Sequence, residues 1–220
     1  DVYGLNSDGD RVGGLIGSSS GIRSIVKDSY ATGSVEGKNF SIGGLIGKNE
    51  ETYINNCYAT GNVKGGNFTG GLIGTNNSGD IEKVHAEGDV NGYQRVGGLI
   101  GFNYTNEVLD SYAVGKVTAE GNDSGGLIGY NKADIIDCYA EGDVESTGTY
   151  NTGGLVGDHE GNIKDSYAIG NVWGKGGVGG LAGSAIGSYK KIENSYATGN
   201  VVANSDNIGG LIGLNEIDLT

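Results

Sequence analysis

The sequence predicts an all-β protein, a right-handed parallel β-helix of about 7–8 coils with 26–30 residues in each coil. The first observation behind this prediction is a phrase, Gly-Gly-Leu-Ile-Gly or a close variant, that occurs eight times. The second is another phrase, Ser-Tyr-Ala-Thr-Gly or a counterpart, that lies between consecutive copies of the first. A fixed period of this length is typical of repeat proteins in which each unit stacks on its neighbours. The glycine phrases begin at Gly13, Gly43, Gly70, Gly97, Gly125, Gly153, Gly179 and Gly209.

The third observation is an alternation of residues around the central Tyr of the second phrase. Ala follows this Tyr at one position, Gly at three and Val at five in every repeat. Ala, Gly and Val are therefore two residues apart, on one face of a strand. The Tyr falls on the opposite face, together with a position two residues later that is Glu in some repeats. Such a period of two indicates a half-buried β-strand, with the Tyr on the solvent side.

The remaining elements of each coil follow from two further positions. An apolar residue four positions before the Tyr breaks this alternation, which predicts a bend at the intervening Asp, Asn or Lys. The Leu of the glycine phrase predicts a third strand, so that one coil has three strands and three turns. The right-handed sense is predicted from the crossover preference of parallel strands. The predicted bend residues are Asp28, Asn56, Lys83, Asp110, Asp137, Asp165 and Asn194.

Composition limits the partners. The chain has 46 Gly and no Pro among 220 residues, and 27 acidic against 14 basic residues give it a net charge of −13. A negative chain repels nucleic acid and anionic membranes, so we expect neither as a partner. No apolar run reaches the roughly 18 residues needed to span a bilayer, so we expect no membrane insertion by this segment.

The unbroken repeat predicts one solenoid domain over residues 1–220. Both ends of the chain lie in mid-coil, and neither carries the polar cap that a solenoid needs to stay soluble. We therefore expect either an excerpt of a longer chain or a subunit that stacks on further copies of itself.

The two phrases together, Gly-Gly-Leu-Ile-Gly and Ser-Tyr-Ala-Thr-Gly-Asn-Val, resemble the GLUG-motif repeat over nearly the whole chain. The resemblance implies a region of large secreted or surface-anchored bacterial proteins. These are filamentous-haemagglutinin-like adhesins and the non-catalytic regions of immunoglobulin A proteases, in which such repeats form a stalk or a display region. It supplies no catalytic residues that could be transferred to this sequence.

Two columns of the repeat are candidates for binding a partner. The Tyr column forms a predicted aromatic ladder that could stack on sugars or proteins, although such a ladder can equally serve to stabilise the sheet. The residue after Leu in the glycine phrase forms an association stripe if it is exposed, and part of the core if a glycine-flanked corner turns it inward. The Tyr column is Tyr30, Tyr58, His85, Tyr112, Tyr139, Tyr167 and Tyr196. The other column is Ile16, Ile46, Ile73, Ile100, Ile128, Val156, Ala182 and Ile212.

Polar columns offer weaker sites. Asp110, Asp137 and Asp165 fall on consecutive coils and could hold Ca²⁺, although the Asn and Lys found at the same position elsewhere favour a turn residue. No other cofactor is expected. Cys57 and Cys138 lie three coils apart, too far for a disulfide. A further set of residues is predicted to form a stacked amide ladder at a turn: Asn49, Asn76, Asn103, Asn131 and Asn215.

The sequence is compatible with three functions. Uniform coils favour a non-catalytic structural or display segment of an adhesin-like extracellular protein, with a surface protein or glycan of a host or neighbouring cell as partner. The uncapped ends favour a self-assembling extracellular filament. A glycan-binding or glycan-degrading β-helix is the third reading, but such enzymes need loop excursions and clustered carboxylates, and neither histidine has a catalytic partner in sequence. We therefore expect no enzymatic activity and a cell-surface location.

Overall fold

Five parallel sheets run the length of a solenoid in the computed structural model, which describes residues 1–4, 11–204 and 206–219. Along the chain the strands enter the sheets in the repeating order A, B, C, D, E, so that sheets A to D have eight strands each and sheet E has seven. The parallel β-solenoid predicted from the repeat is confirmed, and no helix is present in the described residues. The handedness stays a prediction.

The strands are short because a turn follows every two to six residues. Sheet A contains Val2–Tyr3, Val35–Glu36, Val63–Lys64, Val90–Gly92, Val117–Ala119, Val144–Ser146, Val172–Gly174 and Val201–Ala203. Sheet B contains Val12–Gly13, Phe40–Gly43, Asn67–Gly70, Val96–Gly97, Ser124–Gly125, Thr152–Gly153, Val178–Gly179 and Ile208–Gly209. Sheet C contains Ile16–Ser19, Ile46–Glu50, Ile73–Ser78, Ile100–Asn103, Ile128–Asn131, Val156–His159, Ala182–Ala185 and Ile212–Asn215.

The other two sheets complete the coil. Sheet D contains Ile25–Lys27, Tyr53–Asn55, Ile81–Glu82, Val108–Leu109, Ile135–Ile136, Ile163–Lys164, Lys191–Glu193 and Asp218–Leu219. Sheet E contains Tyr30–Ala31, Tyr58–Ala59, His85–Ala86, Tyr112–Ala113, Tyr139–Ala140, Tyr167–Ala168 and Tyr196–Ala197.

The prediction of three strands per coil is therefore wrong, because two predicted strands are each divided by a turn. The glycine phrase contains a turn of its own: sheet B ends at its first Gly, and sheet C begins at its Ile. The strand around the Tyr is divided into sheets E and A at the Gly three residues after the Tyr. The alternation of burial across that Gly is as predicted, with Ala59 and Val63 buried and Tyr58 partly exposed.

Equivalent residues of successive coils pair with one another. Tyr58 lies opposite Tyr30 and His85, Val63 opposite Val90, and Ile73 opposite Ile100. Because the register is the same from coil to coil, each repeat position becomes a column parallel to the axis. The candidate sites below are such columns.

The core has two compartments with a waist between them. Sheets C, D and E enclose one compartment, filled by the Leu and Ile of the glycine phrase and the Ile or Val of sheet D. Sheets A and B enclose smaller valine-rich clusters. At the waist, the second Gly of the phrase approaches the next coil so closely that a Cβ on Gly98 would lie 2.0 Å from the carbonyl oxygen of Gly126 and 2.9 Å from Ala113 Cβ. Only glycine permits this approach.

The predicted bend is confirmed by backbone angles. Every residue of that column has a positive φ, from 47° at Asp110 to 55° at Lys83. Asp and Asn tolerate this left-handed conformation better than other non-glycine residues, which explains their repetition there. A second left-handed column, which the sequence did not indicate, precedes sheet B: Ser41, Phe68, Arg95, Asp123, Asn151, Gly177 and Asn207.

Candidate functional site

The Tyr column forms the predicted aromatic ladder along sheet E. Neighbouring rings from Tyr30 to Tyr196 are stacked, with centroids 4.7–5.1 Å apart and interplanar angles of 3–5°. His85 takes its place in the stack between Tyr58 and Tyr112. The rings cover one another's faces and leave their edges toward solvent. This geometry stabilises the sheet through cross-strand ring contacts.

The ladder also changes the titration of its members. Burial is the main cause that raises the pKa of Tyr112, Tyr139 and Tyr167 above the value of an exposed Tyr. Burial likewise lowers the pKa of His85, against a smaller opposite effect from Glu87. Both shifts favour the neutral forms of these four rings.

Of the two interpretations of the residue after the Leu of the glycine phrase, its burial supports the inward-turned corner and not an exposed association stripe. Ile46, Ile73, Ile100 and Ile128 are fully buried, as are Val156 and Ala182. Only Ile16 and Ile212, in the first and last described copies of the phrase, are partly exposed. The cause is the turn at the glycines: it reverses the chain between Leu and Ile, so both side chains enter the core.

The Asp column serves as a bend. Asp110, Asp137 and Asp165 each have a left-handed backbone conformation, and Asp165 accepts a hydrogen bond from Asn194 Nδ2 at 3.0 Å. No group of three His, Cys, Asp or Glu that could hold a metal ion occurs in the part of the chain that the structure describes. The Ca²⁺ prediction thus gains no geometric support from this column.

The predicted amide ladder is present and lies inside the solenoid. Asn49, Asn76, Asn103 and Asn131 are fully buried at the end of sheet C. The first three each donate Nδ2 to the Oδ1 of the next Asn at 2.7–2.8 Å. Asn103 also donates to the carbonyl of Asn106 at 2.8 Å, which closes the turn of its own coil. The ladder thus satisfies buried amides both along the axis and within each coil.

His159 continues the ladder where the next Asn is expected. Its Nδ1 lies 3.1 Å from Asn131 Nδ2, and the residue is fully buried. Burial lowers its pKa from 6.5 to about 4, although the carbonyls of Asn162 and Gly161 favour the charged form. The coil after it has Ala185 at this position. Asn215 is exposed, and among the described residues its side chain bonds the backbone of Ile217.

Replacing His159 by Asn is expected to extend the ladder and to remove an acid sensitivity. Because the folded-state pKa of His159 is below 6.5, the unfolded chain binds the proton more strongly, and stability falls as the pH decreases from 6.5 toward 4. The full loss is about 3 kcal/mol and is absent from His159→Asn. Denaturant unfolding at pH 7 and pH 4.5 measures it.

His85→Tyr is the comparison variant: it removes the other histidine and completes the aromatic ladder, and because burial also lowers the pKa of His85, it should change the pH profile in the same direction. Burial raises the pKa of Asp123 and Asp158, so protonation of these carboxyls stabilises the fold as the pH falls and opposes His159. The quantity to compare is therefore the change in the free energy of unfolding between pH 7 and pH 4.5, for each variant and for the unmodified chain. Identical pH profiles for His159→Asn and the unmodified chain would contradict the assignment.

A further cluster, which sequence reasoning missed, lies on the lateral face between sheets B and C. We call it the aromatic trough and define it as Phe40, Phe68, Arg95, Phe102 and Tyr130. Its rings lie 5.3–5.8 Å apart along the solenoid and are tilted by 32–47°. The guanidinium of Arg95 lies over three of them, 5.3 Å from Phe68, 5.1 Å from Phe102 and 4.7 Å from Tyr130. Cation–π contacts of this kind hold the rings in place.

The two ends of the trough differ in charge. Around Phe40 and Phe68 a cavity of about 650 Å³ is lined by Arg11 and Lys48 as well as by the rings. At the other end Asp123 lies 3.5 Å from Arg95 Nε, and Glu160 accepts a hydrogen bond from the hydroxyl of Tyr130. That bond and burial raise the pKa of Tyr130. Because Lys132 also pairs with Glu160, at 3.4 Å, and Arg95 with Asp123, the carboxylates at this end are balanced by cations, and the excess positive charge lies at the Arg11 end.

The two cysteines are not candidates for a reactive site. Cys57 and Cys138 are free and buried, as expected, and burial raises the pKa of the Cys138 thiol to about 12. Such a thiol is protonated and unreactive at neutral pH. None of the described residues forms a helix that is long and apolar enough to cross a membrane.

Comparison with known proteins identifies the repeat. A family model described as the GLUG motif matches four segments of the chain, residues 8–36, 38–64, 92–118 and 120–145. Each matched segment corresponds to one coil of the solenoid. No curated protein and no solved structure matches the chain significantly.

Proposed function

Because this chain is a GLUG-repeat region, we propose that it is a non-catalytic structural segment that displays neighbouring parts of an extracellular surface protein. The observation that carries the proposal is the register: equivalent residues pair from coil to coil in all five sheets, with one shift between Asn76 and Ser78 in sheet C. A body of this kind keeps a fixed spacing per repeat and is stiff along its axis, because each coil is bonded to the next throughout. A spacer needs these properties.

The polar columns support a structural role. The buried amide ladder and the aromatic ladder use the residue types that often supply catalysis or binding, and here those residues bond to their own equivalents. Both histidines are members of ladders, His85 in the aromatic one and His159 in the amide one. The net charge of −13 suits a solvated surface that resists non-specific association.

The location is tested on intact cells of the source organism. Antibodies raised against residues 1–220 should label intact cells to nearly the same extent as permeabilised cells, and a cytoplasmic protein of the same cells should be labelled only after permeabilisation. Labelling of this segment only after permeabilisation would overturn the proposal of an extracellular display segment.

Self-assembly is the second candidate. Leu15 of the first glycine phrase is 51% exposed, whereas Leu45 and Leu72 at the same position are fully buried. A coil stacked on this surface would bury Leu15, whether that coil belonged to the same chain or to another copy. Light scattering over a concentration series distinguishes the two: growth with concentration supports a filament, and a constant monomer mass opposes it.

A further inference from the structure

We propose that the aromatic trough binds an acidic oligosaccharide, with sugar rings on Phe40, Phe68 and Phe102 and carboxylates toward Arg11 and Lys48. This site is independent of the display role, since a segment that binds no glycan could still act as a spacer. In this proposal the ligand binds to the aromatic trough and not to the aromatic ladder.

The orientation of the rings distinguishes the trough from the ladder. Ladder rings lie within 3–5° of parallel and cover each other's faces, so a ligand meets only their edges. Trough rings are tilted by 32–47°, and Phe40 is 46% exposed. The C–H face of a pyranose needs an aromatic face to pack on. In the trough Arg95 lies over Phe68 and Phe102, so the ring of Phe40 provides the open face, and the other two rings line the same cavity.

Polar groups beside the rings suit the hydroxyl rim of a sugar. The hydroxyls of Ser41 and Thr75 lie 2.8 Å apart between the two columns that form the trough, and both residues line the same cavity as Asn77. The cavity volume of about 650 Å³ falls in the usual range for small-molecule sites. Mixed apolar and hydrogen-bonding walls are what an oligosaccharide requires.

Charge selects an acidic sugar over a neutral one. The chain has only 14 basic residues, yet Arg11 and Lys48 both line this cavity. Lys48 forms an ion pair with Glu50, which leaves the positive charge of Arg11 in excess at this end. At the opposite end Asp123 and Glu160 are paired with Arg95 and Lys132, so that end has no excess positive charge to attract an acidic chain.

The backbone disfavours a peptide as occupant. Peptides that bind to sheets commonly add a strand to a free edge. Along the trough the amide groups are already used between coils: Phe68 donates to the carbonyl of Gln94 at 2.9 Å, and Thr69 to that of Arg95 at 3.2 Å. The lateral face therefore offers side chains only, and the recognition falls to rings, hydroxyls and cations.

Calorimetric titration of the 220-residue chain tests the proposal with three probes, hexagalacturonate, maltohexaose and hexaglutamate. We expect hexagalacturonate to bind, more weakly as salt rises, and to bind more tightly than the other two. Phe102→Ala should weaken this binding about tenfold, and Arg11→Gln should reduce the preference over maltohexaose. Trp173→Ala, which removes an aromatic ring from sheet A, should leave it unchanged.

Three results would overturn the proposal. They are no binding of either hexasaccharide, equal binding of hexaglutamate, which would indicate a general site for anionic peptides, and an equal effect of Phe102→Ala and Trp173→Ala. If Phe102→Ala loses its fold by circular dichroism, Phe40→Ala replaces it, because the ring of Phe40 is half exposed and its removal leaves no buried cavity. Unchanged affinity in a folded Phe40→Ala variant would count equally against the site.

Discussion

Asn103→Ala is expected to lower the free energy of unfolding by about 5 kcal/mol, the largest effect of any single substitution considered for this chain. The side chain of Asn103 accepts from Asn76 and donates to Asn131 and to the carbonyl of Asn106. Its removal leaves Asn131 Oδ1 and the carbonyl of Asn106 unpaired, and also one of the two Nδ2 hydrogens of Asn76, which keeps its bond to the carbonyl of Gly79. Each unpaired site costs about 1–3 kcal/mol. Denaturant unfolding followed by circular dichroism measures the loss.

Asn215→Ala is the matched control for this substitution. Asn215 has the same repeat position, but it is exposed, and within the described part of the chain its side chain bonds the backbone of Ile217 at 3.1 and 3.4 Å. Water replaces those bonds, so the expected loss is below about 1 kcal/mol. Similar losses for the two variants would mean that the amide ladder does not stabilise the coil stack.

Gly98→Ala is expected to cost about 4 kcal/mol, because the added methyl group meets backbone rather than a movable side chain. The new Cβ would lie 2.0 Å from the carbonyl oxygen of Gly126 in the next coil. The coils must then separate at the waist, which strains the ladders on both sides. Unfolding by denaturant, with fluorescence of Trp173 as a second probe, measures this effect.

The same substitution at Gly210 tests whether the close approach is the cause. Gly210 is the second Gly of its phrase, as Gly98 is, but nothing lies within 4 Å of its added Cβ. Gly210→Ala should therefore be neutral or slightly stabilising, since it restricts the unfolded chain. A large loss at Gly210, or none at Gly98, would show that the waist is not the constraint on this glycine column.

Sequence reasoning predicted those features that depend on equivalent residues in successive coils. The aromatic ladder, the amide ladder and the left-handed bend all follow from one fact: a repeat position stacks on itself in a solenoid. Tyr58 on His85 and Asn76 on Asn103 needed no knowledge of the shape of the coil. The repeat period and the position of a residue within the repeat are sufficient to predict such columns from a single sequence.

Features that join different columns were not predictable in the same way. The trough brings Arg95 against Phe102 and Tyr130, which have another repeat position, and this contact depends on how sharply the chain turns at the glycines. The same turn buries Ile73 and Ile100. A glycine-flanked corner was one of the two interpretations of their column, but the repeat period alone could not decide between it and an exposed stripe. A sign of the site was nevertheless present: Phe68 and Arg95 are bulky residues in a column that otherwise contains Ser, Asp, Asn and Gly.

Small-angle X-ray scattering of coil deletions tests the central claim, that each repeat is one coil of a continuous spacer. Deleting residues 97–124 joins Val96 to Gly125, and deleting 97–152 joins it to Gly153, so both keep the phrase and the ladders in phase. We expect both deletion variants to fold. Their maximum dimension should fall by about 5 Å when one coil is deleted and by about 10 Å when two are deleted, at constant cross-section. Unfolding, or a change in cross-section without shortening, would contradict this claim.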